Sequence, residues 1–194
     1  VEIRDASYLW GKTVSETDKA IKEELGDENV QVSCIGPAGE NQVRFAILMN
    51  NLDRAPAWSG CGAVAGSKML KAVVVRGTKG VRIAHPDEFE QACWEAREKI
   101  KDTFSTKNYR QQGTMFLVRA MYGSGVAQLH NYNITQCSES HLEKISGEKW
   151  VDEYVVKEVG NQGCYGCNIQ CGHYCVIEEG PYAGLAARGF EYGA

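Results

Sequence analysis

The chain has 194 residues, of which 43% are hydrophobic and 24% are charged, and its formal net charge is −4 at pH 7. This length and balance indicate a soluble globular protein of one or two domains, and no apolar run approaches the roughly 20 residues that span a bilayer. The negative charge argues against nucleic acid as a partner. Because the chain lacks an initiator Met and a signal peptide pattern, we expect a cytoplasmic protein of which this is an internal piece.

The first part of the chain predicts a mixture of one helix and several strands. Ser15 and Asp18 have the spacing of a capping box, and Gly26 marks the end of the helix that it opens. Apolar runs bounded by turn residues predict strands at residues 30–35, 43–49 and 71–77. The turn-rich residues 36–41 separate the first two strands, and we expect the third to be buried.

The pattern changes near residue 85. Pro86, followed by two acidic residues, predicts a helix start, and Phe89, Cys93, Ala96 and Ile100 follow at helical spacing. Residues 114–122 and 150–159 predict further helices. We therefore predict an α+β protein with a strand-rich domain at 1–85 and a helical domain at 86–194, both incomplete.

Eight cysteines are present, and four of them lie between residues 164 and 175. Cys164, Cys167 and Cys171 form a C-x-x-C-x-x-x-C arrangement. Such spacing lets one loop wrap a cuboidal cluster, with each thiolate bound to a different iron. Without signs of secretion, close spacing favours a metal site over disulfides. We predict that these three cysteines bind an iron–sulfur cluster.

Two features around the cluster cysteines leave alternatives open. A zinc site would need a fourth ligand, either His173 or Cys175, although a lone histidine near a cysteine set is more often structural. Cys175 is also the nearest candidate for a fourth cluster ligand, or a buried bystander. Of the scattered cysteines Cys34, Cys61, Cys93 and Cys137, we expect all except Cys61 to be small buried hydrophobes.

Cys61 lies in a glycine-rich stretch, residues 59–68, that precedes the third predicted strand. Small residues at this density let backbone amides approach an anion closely, although such a stretch is often only a turn. The spacing fits neither a Walker A loop nor a dinucleotide-binding fingerprint. A simple electron carrier would need the cluster cysteines but no glycine-rich ligand loop besides them, so this stretch argues against that class of protein.

Several motifs in one order give the chain a family resemblance. They are residues 35–46 and 62–72, Gly113-Thr114, Asn131-Tyr132, the three cysteines, Gly180-Pro181 and Glu191-Tyr192. Together they resemble the aldehyde:ferredoxin oxidoreductase family, and the resemblance covers nearly the whole chain from about residue 30.

The resemblance implies an enzyme with a tungsten (less often molybdenum) bis-pterin beside a 4Fe–4S cluster. Such an enzyme oxidises aldehydes to acids and passes electrons to ferredoxin or a partner subunit, and we expect an oligomer. The segment 57–63 would contact a pterin phosphate or its magnesium, which makes Trp58, Ser59, Gly60, Cys61 and Gly62 candidate cofactor-binding residues. The resemblance places the fourth cluster cysteine downstream of this chain. Glu191 is the only candidate for a proton-transfer group near the site, although an ordinary surface glutamate is the more common interpretation of such a residue.

Two departures from the family pattern stand out. Trp58 replaces an arginine expected near phosphate, and Gly193 replaces the second glutamate of a Glu-Tyr-Glu motif. These changes favour a divergent branch, such as the tungsten subunit of class II benzoyl-CoA reductase with an aromatic thioester substrate. A non-catalytic iron–sulfur electron-transfer module and a zinc-stabilised structural module are the alternatives from other classes.

Overall fold

The structure is a computed structural model that describes residues 1–57, 59–130 and 132–188. The chain divides into two units, residues 1–82 and the part from residue 83 onward. The first unit contains a 3-10 helix at Ser7–Leu9, helices α1 (Val14–Leu25), α2 (Pro37–Glu40) and α3 (Cys61–Ser67), and strands β1 (Gln31–Cys34), β2 (Met49–Asn50) and β3 (Ala72–Val75). The second contains helices α4 (Pro86–Lys101), α5 (Phe104–Gln112), α6 (Leu117–Gly123), α7 (Glu139–Lys144) and α8 (Gly147–Tyr154), 3-10 helices at Gly113–Phe116 and Lys157–Val159, and strands β4 (Tyr174–Val176) and β5 (Ala186–Arg188). The predicted mixture of helices and strands is confirmed.

Helix α1 begins with a capping box at Thr13. The Thr13 hydroxyl accepts a hydrogen bond from the Glu16 amide, and the Glu16 carboxylate accepts one of 2.8 Å from the Thr13 amide. The predicted box at Ser15 was therefore wrong by two residues, because Glu16 rather than Asp18 reaches back to the N-cap. Gly26 ends the helix in the left-handed conformation with φ of 62°, as predicted.

A three-stranded antiparallel sheet in the order β2-β1-β3 forms the centre of the first unit. Its core comprises Leu9, Ile21, Val30, Val32 and Cys34. The predicted strand at 43–49 was wrong except at its last residue, because the chain turns there: the Val43 amide donates to Ala38 O and the Ala46 amide to Val43 O, both at 2.9 Å. The prediction that the third strand is buried was also wrong, since the β3 valines are 37–55% exposed.

A buried ion pair connects three parts of the first unit. Lys71, directly before β3, pairs with Glu40 of α2, and the two side chains are 0% and 4% exposed. The Lys71 ammonium also donates to the Lys12 carbonyl at 2.9 Å, and the Glu40 carboxylate accepts from the Gly11 amide at 2.8 Å. Both charges are therefore paired and hydrogen-bonded, which is the condition under which buried charges are tolerated.

In the second unit, the core consists of Met115, Val118, Leu142, Trp150 and Cys175. Helix α4 begins with proline at its first turn, as predicted, but none of its residues is buried within the described parts of the chain. Helices α5, α7 and α8 each begin at a threonine or serine whose side chain accepts a backbone amide hydrogen. None of the helices in the described ranges is both long and apolar enough to cross a membrane.

The functional assignments of the two predicted domains stay predictions. The units divide between residues 82 and 83, close to the change of pattern at residue 85.

Candidate metal centre

The three candidate ligands lie in one segment that we call the cysteine loop, residues 161–173. Gln162 and Gly172 exchange two backbone hydrogen bonds of 2.8 Å, which close the base of the loop. Inside it, the Cys167 amide donates to the Cys164 carbonyl at 3.0 Å, and Gly166 occupies the left-handed region with φ of 72°. The loop is thus a closed turn-forming segment whose ends are fixed by backbone pairing.

Helix α5 holds the cysteine loop through its residue Arg110. The Arg110 guanidinium Nη2 donates to the Asn168 carbonyl at 2.7 Å, and the Asn161 amide group donates to the Arg110 carbonyl. The Nε2 atom of His173 lies 3.1 Å from the Arg110 carbonyl oxygen, and its Nδ1 atom lies 3.2 Å from the Cys171 carbonyl oxygen. Both the backbone and the side chain of one helical residue therefore bind the loop.

Gly113 allows the loop to lie this close to the end of α5. It has φ of 59°, and a Cβ atom there would lie 2.9 Å from the Cys171 carbonyl oxygen. A side chain at this position would be strained by the backbone conformation and would displace the third cysteine. Glycine in the Gly113-Thr114 motif is therefore explained by its close contact with the cysteine loop.

The cysteine thiols are free of disulfides, with Cys164 exposed and Cys167 and Cys171 half-buried. Cys164 and Cys167 line a cleft of about 630 Å³ whose charged residues are Arg97, Arg110 and the ion pair of Lys101 with Glu98, so that its net lining charge is positive. An iron–sulfur cluster bound by thiolates is anionic, so nearby cations stabilise it electrostatically. The thiol donors, the room in the cleft and its positive lining all fit such a cluster.

A single zinc ion and an iron–sulfur cluster differ in how closely their ligands converge, and both assignments stay predictions. In the described ranges of the chain, no three His, Cys, Asp or Glu side chains converge as ligands of one metal ion. One zinc needs four ligands at about 2.0–2.3 Å from a common point, whereas the thiolates of a cuboidal cluster bind different irons and stand further apart.

The two proposed fourth ligands are engaged elsewhere. His173 is 2% exposed, with both ring nitrogens beside backbone carbonyls, so it serves the loop as a structural residue. Cys175 is 2% exposed and packs in the core of the second unit, which favours the bystander interpretation. Neither is presented to the cleft as a ligand.

The scattered cysteines differ in their environments. Cys34 is 1% exposed, and its burial raises the pKa of the thiol, an effect that the charge of Lys71 partly opposes. Cys137 is half-buried against the core of the second unit. The expectation that Cys93 is buried was wrong: it lies exposed on α4.

The glycine-rich stretch contains a helix, α3, rather than only a turn. A Cβ atom at Gly62 would lie 2.3 Å from Ile47 O, and one at Gly66 would lie 1.9 Å from Gly39 O. These glycines therefore allow the backbone of α3 to contact the backbone of residues 39–47 directly. Sequence reasoning missed this because glycine is a poor helix former, and the tertiary contact overrides its propensity.

The predicted cofactor-binding residues of this stretch have internal partners. The Gly62 amide donates to Ala46 O at 3.0 Å, and the Cys61 thiol donates to Pro56 O at 3.1 Å. Gly60 has φ of 67° directly before α3, and Ser59 is exposed. Their cofactor role stays a prediction, while Trp58 and Glu191 lie outside the described residues.

Comparisons with known proteins agree along both units. The model of the aldehyde ferredoxin oxidoreductase N-terminal domain matches residues 1–77, and the model of domains 2 and 3 of the same family matches residues 91–194. The chain therefore belongs to the aldehyde ferredoxin oxidoreductase family.

Among its relatives are two proteins named tungsten-containing aldehyde ferredoxin oxidoreductase. The one from Pyrococcus abyssi is 47% identical over 173 residues, 89% of this chain and 28% of the relative. The one from Thermococcus kodakarensis is 41% identical over 200 residues, 100% of this chain and 32% of the relative. The chain thus spans about a third or less of the length of these proteins.

A solved structure is also similar: the active site complex BamBC of benzoyl coenzyme A reductase with 1,5-dienoyl-CoA. It superimposes with a TM-score of 0.67 at 30% identity, covering 97% of this chain and 29% of the other. The resemblance therefore extends to the divergent branch that the departures at Trp58 and Gly193 favour.

Proposed function

We propose that the protein is a tungsten (or molybdenum) bis-pterin oxidoreductase in which Cys164, Cys167 and Cys171 bind a 4Fe–4S cluster. The cysteine loop is the observation that supports this proposal most directly. It presents three free thiols on a segment whose ends are paired by backbone hydrogen bonds and which is hydrogen-bonded to α5. Membership of a family with tungsten-containing relatives supports the metal. The fourth cluster ligand is expected elsewhere in the intact protein.

The residues of the cysteine loop would hold and orient the cluster. When bound, the tungsten pterin supplies two-electron substrate chemistry and the cluster supplies one-electron transfer. Arg97 and Arg110 would contribute positive charge beside the thiolates, and His173 and Gly113 would keep Cys171 in place. The pterin part of the proposal rests on the family, because the amide of Gly62 and the thiol of Cys61 already have partners.

Two substrate classes are proposed for the intact enzyme. The first is oxidation of an aldehyde to the acid, with electrons passed to ferredoxin or a partner subunit, as the names of the relatives suggest. The second is reduction of an aromatic thioester, supported by the BamBC similarity and by tryptophan in place of the arginine at residue 58. Magnesium at the pterin phosphates, a cytoplasmic location and an oligomeric assembly are further proposals from the family.

Elemental analysis of the intact protein, purified without oxygen, tests the proposal first. About one tungsten or molybdenum and four or more irons per chain are expected for a bis-pterin metal and one cubane. Iron without tungsten or molybdenum would instead indicate an electron-transfer module, and zinc alone would overturn the cluster assignment.

A second measurement separates the two substrate classes. The loaded enzyme would be assayed anaerobically with a viologen dye as electron acceptor, once with short aldehydes as electron donors and once with a cyclic dienoyl coenzyme A thioester as electron donor, which is the reverse of aromatic thioester reduction. Turnover with aldehydes alone supports the first class, and turnover with the thioester alone supports the second.

A further inference from the structure

Arg110 makes an unusual set of contacts for a residue at the end of a surface helix. Its carbonyl oxygen accepts the Asn161 amide group and lies 3.1 Å from a ring nitrogen of His173. Its guanidinium donates to the Asn168 carbonyl at 2.7 Å. Asn161 and His173 are the two ends of the cysteine loop and Asn168 is in its middle, so one residue is hydrogen-bonded to the loop at three places.

The Nε–H group of the Arg110 guanidinium takes no part in these contacts. Its Nε atom is buried and has no hydrogen-bond partner among the residues that the structure describes. A buried N–H group without an acceptor costs free energy, so such atoms in native proteins usually have a partner. Arg110 also lines the cleft that Cys164 and Cys167 enter.

The chemistry of the cleft indicates what this donor would bind. Sulfur atoms of an iron–sulfur cluster and its thiolates are anionic acceptors, and N–H donors beside them raise the reduction potential because they stabilise the more negative reduced state. A guanidinium is suited to bind a carbonyl and a second acceptor at once, since its donors form a rigid planar fork. A lysine ammonium retains the charge without that geometry.

We propose that Arg110 is the positioning residue of the cysteine loop, and that its unpaired Nε–H donates a hydrogen bond to sulfur of the cluster held there. The inference rests on the proposed function, because it requires a cluster at these cysteines. Arg110 has two effects in this proposal: it fixes the loop through Asn168, Asn161 and His173, and it sets the reduction potential through its free donor.

The test compares three variants of the intact holoprotein. Arg110→Gln removes the charge and the fork, and Arg110→Lys retains the charge only. Lys101→Gln is the matched control, since Lys101 lines the same cleft but is paired with Glu98 on its own helix. Iron per chain, the midpoint potential from an EPR-monitored redox titration, and circular dichroism are measured for each.

The expected order of effects follows from the geometry. Arg110→Gln binds less iron than the wild type, and the cluster that remains has a lower midpoint potential. Arg110→Lys retains most of the iron but also has a lowered potential, while Lys101→Gln retains wild-type iron with a smaller shift. Should Arg110→Gln fail to fold, the comparison of Arg110→Lys with Lys101→Gln still decides the question.

Two results would overturn the inference and leave the proposed function intact. One is a wild-type iron content and potential in both Arg110 variants. The other is an equal shift in Lys101→Gln and Arg110→Gln with no shift in Arg110→Lys, which would reduce the effect to charge alone. Iron-free wild-type protein would overturn the proposed function and this inference together.

Discussion

The glycine-rich stretch of residues 59–68 and the cysteine loop of residues 161–173 are both rich in small and turn-forming residues, yet the structure uses them differently. In the first, Gly62 and Gly66 contact the backbone of residues 39–47, and the Cys61 thiol is hydrogen-bonded to Pro56. In the second, the loop is fastened by Arg110 and His173, while Cys164 remains exposed. Small residues therefore indicate close approach in both segments, and only the thiols without a partner mark the cysteine loop as a candidate ligand site.

The largest expected effect tests the ligand side of this comparison. Cys167→Ser should remove nearly all cluster iron from the intact protein and bleach its brown colour, because an alcohol is a poor replacement for a thiolate ligand. Iron analysis and the visible absorption spectrum measure the loss. Cys93→Ser, at an exposed position on α4, is the control and should retain full iron. Full iron in Cys167→Ser would contradict the assignment.

A second prediction tests the packing side through the buried ion pair. Lys71→Ala leaves the Glu40 carboxylate buried without its partner, which should destabilise the first unit by about 3–5 kcal/mol. Hydrogen exchange of the β1 amides reports this loss locally. Lys19→Ala breaks an exposed pair on α1 and should change the exchange rates little. Equal exchange in the two variants would show that the buried pair contributes no stability.

Gly66→Ala tests the close contact of α3 directly. A methyl group there would lie 1.9 Å from the Gly39 carbonyl oxygen, so the helix must shift, at a cost of about 1–3 kcal/mol. Gly77→Ala is the control because nothing lies within 4 Å of its added Cβ atom. Urea unfolding followed by hydrogen exchange in the first unit compares the two. Iron content should stay unchanged in both variants. Loss of iron from Gly66→Ala would contradict the interpretation that α3 serves packing and does not affect ligand binding.

The smallest effect is a difference in thiol reactivity. Because burial raises the pKa of the Cys34 thiol, less thiolate is present at pH 8 and alkylation there should be slow in the native protein. The exposed thiol of Cys93 should react readily with iodoacetamide. Mass spectrometry of the labelled peptides measures both sites, and equal labelling before unfolding would mean that Cys34 is accessible.

Sequence patterns predicted the features that depend on local chemistry. The mixed fold class, the end of α1 at Gly26, the start of α4 at Pro86 and the centre of β1 follow from capping, turn residues and apolar runs. The three cysteines of the loop could be chosen as candidate ligands from their spacing alone, and their role as ligands stays a prediction. The elements named above have boundaries that the structure tests. For these elements, the local signal and the folded structure agree.

The missed features depend on contacts between distant residues. Arg110 belongs to none of the motifs in the sequence, because its contacts are with Asn161, Asn168 and His173, more than 50 residues later. The helix at 61–67 forms because its glycines contact another backbone, which no single-sequence pattern encodes. The apolar run of β3 indicated burial, but the valines of that strand are exposed in the described structure.

The paired backbone of Gln162 and Gly172 has a consequence for the order of events during maturation. In small zinc domains the metal must be present before the chain can fold, because the metal supplies the folding free energy. Here the two ends of the cysteine loop are joined by peptide hydrogen bonds, and Arg110 anchors the loop to a helix. Because the chain itself makes these contacts, we expect the loop to take its shape as the polypeptide folds, so that the supply of iron and sulfide would determine when the proposed cluster forms.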